Sequence, residues 1–175
     1  MGPRRAVLWI VVFAVLAASG GGGLMSCGRA TGPGSPEPAS GRLEGRVVKI
    51  VDGDTIHVLI GSRREKVRYI GVDTPETHKP DTPVQCYGRA ASAFNARLLA
   101  GRRVELRTDA ETRDRYGRLL AYVYRRPDGL FVNAELVRRG FATLLTIPPN
   151  VAHAEEFLRL QRAARQAGRG LWSAC

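Results

Sequence analysis

Three short segments rich in Val and Ile, residues 43–51, 55–60 and 65–70, follow one another with only an Asp-Gly turn and a Gly-Ser turn between them. Connections that short join antiparallel strands, because a parallel crossover needs a dozen or more residues. The start of the folded body is thereby committed to a three-strand meander. Two further segments with strand character, residues 103–108 and 119–124, lie downstream. Between the third and fourth strands, Ala-rich residues 88–99 place Phe94, Leu98 and Leu99 at helical spacing. Residues 132–139 predict a second short helix and residues 152–167 a third. On that third helix Phe157, Leu160, Ala164, Ala167 and Leu171 share one arc and Arg159, Arg162, Arg165 and Arg169 the opposite one. A solvated face opposite a core stripe accounts for the Arg row, with phosphate contact as its alternative. Five short strands with three helices inserted and appended predict an α+β domain on a Greek-key barrel.

The only long uncharged apolar run, residues 6–18, lies behind Arg4 and Arg5 and ahead of a Gly run ending in Leu24-Met25-Ser26-Cys27. A positive start and an apolar stretch too short to span a bilayer comfortably read as an export signal over residues 1–27. The Leu-Met-Ser-Cys ending resembles a bacterial lipobox, in which cleavage precedes a Cys that receives lipid. Cys27 is therefore the expected lipidation site and the membrane the expected anchor. An ordinary cleaved signal with an unrelated Cys, or an uncleaved anchor helix, is the alternative, and every version places the chain outside the cytoplasm. Residues 28–41 carry Gly, Pro, Ser, Ala and Thr with almost no bulky apolar side chains and read as a flexible tether. Residues 42–175 remain as the folded body, enough for one real core. The 175 residues hold 27 Lys and Arg against 16 Asp and Glu, a net charge of +11; removing residues 1–27 deletes two Arg and no acid, leaving +9. That balance suits a polyanionic partner such as nucleic acid or an anionic surface.

Chemistry-bearing residues gather in three stretches. Asp52-Gly53-Asp54-Thr55 fills the first turn, Arg68 and then Asp73-Thr74-Pro75-Glu76-Thr77 flank the end of the third strand, and Asp114-Arg115-Tyr116-Gly117-Arg118 precedes the fifth. Asp54 and Asp73, helped by a main-chain carbonyl, supply hard oxygen ligands for Ca²⁺ or Mg²⁺ and nothing soft enough for a dedicated zinc site. Arg68 and Arg118 offer two guanidinium forks able to hold a phosphate bidentately and to neutralise charge developing on its oxygens. Each stretch alone has an ordinary explanation as a hairpin turn, a helix N-cap or a surface ion pair. Together, a metal clamp, two Arg forks and a spare carboxylate are what attack of water on a phosphodiester requires.

With Tyr87-Gly88, Ala91-Ser92-Ala93-Phe94, Val132-Asn133-Ala134-Glu135-Leu136-Val137-Arg138 and the closing Leu171-Trp172-Ser173, these stretches resemble the thermonuclease family, typified by staphylococcal nuclease, over essentially all of residues 43–172. The resemblance implies an oligonucleotide/oligosaccharide-binding (OB-fold) barrel and Ca²⁺-dependent hydrolysis of DNA and RNA to products ending in a 3′-phosphate. By motif position it implies that Asp54, Asp73 and the main-chain carbonyl of Thr74 hold the calcium and that Glu76 orients or deprotonates the attacking water. It further implies that Arg68 and Arg118 grip the scissile phosphate, Arg118 nearer the leaving group, and that Arg115 and Tyr116 contact the substrate's terminal phosphate. One region departs from the pattern. Where the staphylococcal enzyme stacks two Tyr on the nucleotide base, this chain has Leu144-Leu145-Thr146-Ile147-Pro148-Pro149-Asn150, with no aromatic. A stacked base is worth about 1 to 3 kcal/mol, so base preference does not carry over with the chemistry.

With Cys27 assigned to lipid, Cys86 and Cys175 form an even pair that predicts a disulfide in an exported chain, free thiols or an interchain bond being the alternatives. The calcium site is expected to be built from loops other than those joined by that bond. His57, His78 and His153 have no metal-ligand spacing and are expected on the surface or in loops, whereas Trp172 is expected in the core. Two function classes follow: a membrane-tethered, monomeric nuclease acting on DNA and RNA, or a non-catalytic surface module that keeps the barrel and only binds nucleic acid. The presence of Glu76, Arg68 and Arg118 favours the enzyme.

Overall fold

The computed structural model describes residues 41–77 and 83–175. The expected export signal with Cys27, residues 28–40 of the expected tether and His78 lie outside them. The elements run β1 (Arg42–Asp52), β2 (Thr55–Ile60), β3 (Arg63–Tyr69), β4 (Val72–Asp73), α1 (Gly88–Leu99), β5 (Arg103–Arg107), β6 (Leu119–Arg125), α2 (Val132–Arg138), β7 (Thr143–Leu144), α3 (Ala154–Gln166) and a short α4 (Leu171–Ala174). Strands β1, β2, β3, β6 and β5 close in that order into a barrel, the α+β OB-type architecture with its meander at the start. Among the described residues, no helix is long and apolar enough to cross a membrane.

Alternation builds the barrel's interior. Ile56 and Val58 of β2, Val67 and Tyr69 of β3, Val104 and Leu106 of β5 and Ala121 and Val123 of β6 all point inward and are buried. β1 pairs with β2 on one side and β5 on the other, and its register with β2 shifts between Val47 and Lys49 and again between Ile50 and Asp52. Such irregularities bend a strand and raise its twist, which lets one strand serve both sides of a closing sheet. The barrel pairs are antiparallel except β3 with β6, where Val67, Arg68 and Tyr69 run parallel to Leu119, Leu120 and Ala121.

Two side-chain amides lock the helices to this barrel. Asn133 of α2 accepts from the Val123 amide at 2.9 Å and donates to the Ile70 carbonyl at 2.9 Å. Asn95 of α1 accepts from the Tyr69 hydroxyl at 3.0 Å and donates to the Asp52 carbonyl at 2.9 Å, directly behind the first turn. Both are fully buried, where an unpaired amide would be costly.

Three expectations change. Helix α3 ends at Gln166, so Ala167 is exposed and Leu171 belongs to α4; Phe157 and Ala164 are the buried members of the apolar arc. His153 lies, as expected, in the turn that leads into α3, where it packs against aromatic rings, 4.6 Å from Tyr122 and 4.8 Å from Phe131 between centroids. His57 lies mid-strand in β2, half-buried. Trp172 is only partly buried, with the Arg165 guanidinium 5.6 Å above its ring. The two-residue ladder of β4 with β7, Val72 opposite Leu144 and Asp73 opposite Thr143, has no counterpart in the sequence reading because two residues carry no periodicity.

Candidate active site

The first turn is shaped by Gly53, whose missing side chain admits Thr74: a Cβ there would stand 2.7 Å from the Thr74 hydroxyl oxygen. Thr74 then caps Asp54, donating its amide at 2.8 Å and its hydroxyl at 3.0 Å to one carboxylate oxygen, while the Thr55 hydroxyl donates to the other at 3.0 Å. Arg68 on β3 reaches the same cluster. Its Nη1 lies 3.0 Å from Asp54 and donates to the Val72 carbonyl at 2.8 Å, and its Nη2 donates to Asp73 at 2.6 Å. One guanidinium thus joins the two carboxylates singled out as metal ligands, and its side chain is only 13% exposed.

Glu76 sits on the segment beyond Thr74, where its main chain is clamped to Gln85. The Glu76 amide donates to the Gln85 side-chain carbonyl at 2.9 Å, and the Gln85 amide donates to the Glu76 carbonyl at 3.0 Å. Although the residue as a whole is exposed, partial burial of its carboxyl, reinforced by the charges of Asp52 and Asp54, pushes Glu76 above the ordinary carboxylate range. Burial likewise raises the Asp73 carboxyl, and the Asp54 charge adds to it against the pull of Arg68. Asp52 braces the loop by accepting from the Thr77 hydroxyl at 3.1 Å.

Facing this wall is the turn of residues 114–118. Asp114 organises it, accepting from the amides of Tyr116 at 3.0 Å and Arg118 at 2.9 Å with one oxygen and from Arg118 Nε at 2.6 Å with the other. Gly117 supplies the left-handed backbone the turn needs, at φ 74°. Because Asp114 holds Arg118 through Nε, neither terminal nitrogen of that guanidinium has a hydrogen-bond partner among the described residues. Arg115 donates to the Tyr116 hydroxyl at 2.6 Å, and the Arg115 and Arg118 guanidiniums lie 4.8 and 5.4 Å from the Tyr116 ring centroid.

Arg68 and the 114–118 turn enclose a cleft of about 430 Å³ lined by Arg68, Asp114, Arg115, Tyr116, Arg118 and Leu120, with Leu145 and Ile147 of the aromatic-free 144–150 segment at its rim. The rim loop is pinned by Asn150, which donates to the Glu111 carbonyl at 2.8 Å and accepts from the Glu111 amide at 2.7 Å. Arg68, Arg115, Tyr116 and Arg118 therefore meet in one cleft, with Asp54 and Asp73 attached through Arg68; Glu76 is not among its lining residues. Asp114, Gln85, Asn95 and Asn150 hold the site and went unassigned in the sequence reading.

Cys86 and Cys175 are joined by a disulfide, their Cα atoms 6.0 Å apart. The expectation that the calcium ligands come from other loops fails for Thr74, which shares with Cys86 the segment between β4 and α1. Both cysteines line a cavity of about 300 Å³ together with Asp73 and Thr74, and Cys86 directly follows Gln85.

A family model described as staphylococcal nuclease homologue matches residues 66–174, which include Arg68, Asp73, Glu76 and the 114–118 turn. The chain belongs to that family. Its similarity to individual members of the staphylococcal nuclease family is broad: 42% identity to the thermonuclease of Staphylococcus intermedius, covering 81% of this chain and 83% of that one. The thermonuclease of Staphylococcus hyicus is 41% identical over 73% of this chain and 75% of its own. Endonuclease YncB of Bacillus subtilis (strain 168) is 39% identical over 71% of this chain and 59% of its own.

Proposed function

We propose that this chain is a Ca²⁺-dependent nuclease that hydrolyses DNA and RNA outside the cytoplasm, leaves 3′-phosphate ends, and works as a monomer held at the membrane through lipidated Cys27. That it is a nuclease, and so a phosphodiesterase, follows from its family and from the two thermonuclease relatives that cover most of its length. One observation carries the mechanism: Arg68, locked between Asp54 and Asp73, faces Arg118, whose terminal nitrogens are open, across a single cleft.

Asp54, Asp73 and the Thr74 carbonyl are hard oxygen donors suited to a divalent cation. Burial, with added repulsion from the neighbouring Asp52 and Asp54 carboxylates, raises Asp73 and Glu76, which fits a site that gains from added positive charge. Calcium, when bound, supplies Lewis-acid stabilisation of charge on the phosphoryl group. Arg118 presents a fork to the phosphate oxygens, and Arg68 contributes a second positive charge from a fixed position. Glu76, held by Gln85, accepts a proton from the attacking water. Arg115 and Tyr116 hold a terminal phosphate at the outer end of the cleft, while Leu145 and Ile147 give the base an aliphatic rim in place of a stack.

The test is cleavage of single-stranded DNA and of RNA by the full chain, with Ca²⁺ and with a chelator. Turnover that depends on Ca²⁺ and yields 3′-phosphate ends is the expected result; full activity in the chelator overturns the metal assignment. For the anchor, incorporation of labelled fatty acid by the wild type and not by Cys27→Ser is expected, and equal labelling of both overturns it.

A further inference from the structure

Outside the cleft, the outward-facing positions of β1, β2 and β3 form a positively charged lattice. Register places Lys49, His57 and Lys66 in one cross-strand row and Arg46, Leu59 and Arg64 in the next. Along β3 the same face continues from Arg64 through Lys66 to Arg68, which lines the cleft. Alternate residues on a strand lie about 6.6 Å apart and adjacent strands about 4.8 Å apart. Arg64 and Lys66 thus stand about 6.6 Å apart along β3, and Arg46 and Lys49 lie two strands, about 9.6 Å, across from them.

Among the described residues their charge has no ion pair, as is also true of Arg159, Arg162, Arg165 and Arg169 of the α3 region; continuity along β3 with Arg68 sets them apart. Arg103 and Arg126 both pair with Glu44, and Arg63 and Arg113 both pair with Glu65. Arg46, Lys49, Arg64 and Lys66 are all exposed, and none has an ion pair among the described residues. Their field is felt locally: after burial, Arg64, Lys66 and Lys49 are what hold the His57 imidazole below its ordinary value.

We infer that this outer face is a second binding surface, which takes the phosphate backbone of a long single-stranded nucleic acid as it leaves the cleft past Arg68. The inference rests on the nuclease reading. Charge complementarity and continuity with Arg68 select a strand already engaged in the cleft over a lipid surface. A short substrate ends inside the cleft and never reaches the patch. A long one gains a contact with each cation, and with it a steeper dependence on salt, about 0.7 in the log–log slope per phosphate contacted on a single strand.

The experiment compares the full chain with a variant combining Lys49→Ala, Arg64→Ala and Lys66→Ala, all exposed positions outside the cleft. Affinity for poly(dT) is measured in chelator over a salt series, and turnover of trithymidylate is measured with Ca²⁺. The variant is expected to bind poly(dT) on the order of tenfold more weakly at low salt, with a slope shallower by about 2, and to turn over trithymidylate at the wild-type rate. Lys49→Arg with Lys66→Arg restores the affinity. Unchanged poly(dT) affinity and slope overturn the inference, as does an equal loss on trithymidylate. Lost binding to phosphatidylglycerol vesicles with poly(dT) binding intact overturns it in favour of a lipid surface. A wild type that binds poly(dT) through these residues but cleaves neither substrate refutes the nuclease reading and leaves the surface standing.

Discussion

Behind one wall of the cleft Asp54 is fixed by four donors from three residues, whereas on the other a single carboxylate, Asp114, organises the whole 114–118 turn. The centre of the first wall is nearly dry, with Asp54 6% exposed and both ends of the Arg68 guanidinium engaged by protein oxygens, while the Asp73 side chain beside it is half exposed. The second is open to solvent, with Tyr116 68% exposed. The difference separates two tasks. Charges that must stand in fixed relation are over-determined before any ligand arrives, and groups that must meet the ligand are anchored at one end only.

Removing the cation should have the largest effect on the carboxylate wall. Chelation abolishes turnover, Ca²⁺ restores it, and Mg²⁺, which demands a tighter octahedral shell, supports little; rates with each ion check this. Next come the side chains. Glu76→Gln should lower kcat by about 10²- to 10⁴-fold, and Arg118→Ala or Arg68→Ala by about 10²- to 10³-fold. The two arginine variants then divide along the comparison. Arg68→Ala strips a buried carboxylate of its countercharge and should also lower stability, by about 1.5 to 3 kcal/mol; Arg118→Ala should leave the melting temperature nearly unchanged. Equal melting temperatures for both variants would break the contrast.

Reducing the disulfide should act on stability first. Closing the chain between Cys86 and Cys175, 89 residues apart, is worth roughly 3 to 5 kcal/mol by chain entropy. Thermal melts with and without reductant measure it. The smallest effect is on titration, and its sign differs between the walls. In the metal-free protein Asp73 and Glu76 titrate above ordinary carboxylates, so their contribution to stability is present below the unfolded value and is lost as pH rises through the folded one. For Asp114 the burial that opposes ionisation is outweighed by the bonds from Arg118 and Tyr116, which hold it below the ordinary range. Its contribution is present above the unfolded value and is lost as pH falls through the folded one. Carboxyl NMR titrations of the three residues should show this split.

Much of this was readable from the chain, for definite reasons. The meander followed from turn chemistry, and the barrel strands from alternation that the inward Ile56, Val58, Val67 and Tyr69 obey. Asp54, Arg68, Asp73 and Arg118 carried local signals because each sits in a turn or at a strand end with its own residue pattern. Asp114 had a legible cue as well, an Asp three residues ahead of a left-handed Gly. Gln85 and Asn150 had none, since each acts on a backbone group brought near only by tertiary structure. The disulfide could be paired by counting, but its place against Asp73 and Thr74 depended on where the C-terminus packs.

The parallel pairing of β3 with β6 has a consequence in time. Arg68 lies on the first of these strands and Arg118 immediately before the second, so the pair of arginines exists only after two distant stretches of chain have zipped together. Such contacts are slow to form, because the entropy of closing a long loop comes before any reward for closing it. A chain that has reached α1 already carries Asp54, Asp73 and Glu76 but cannot yet grip a phosphate from both sides. The pairing of the two arginines is thus completed only when β6 joins β3 and the barrel shuts.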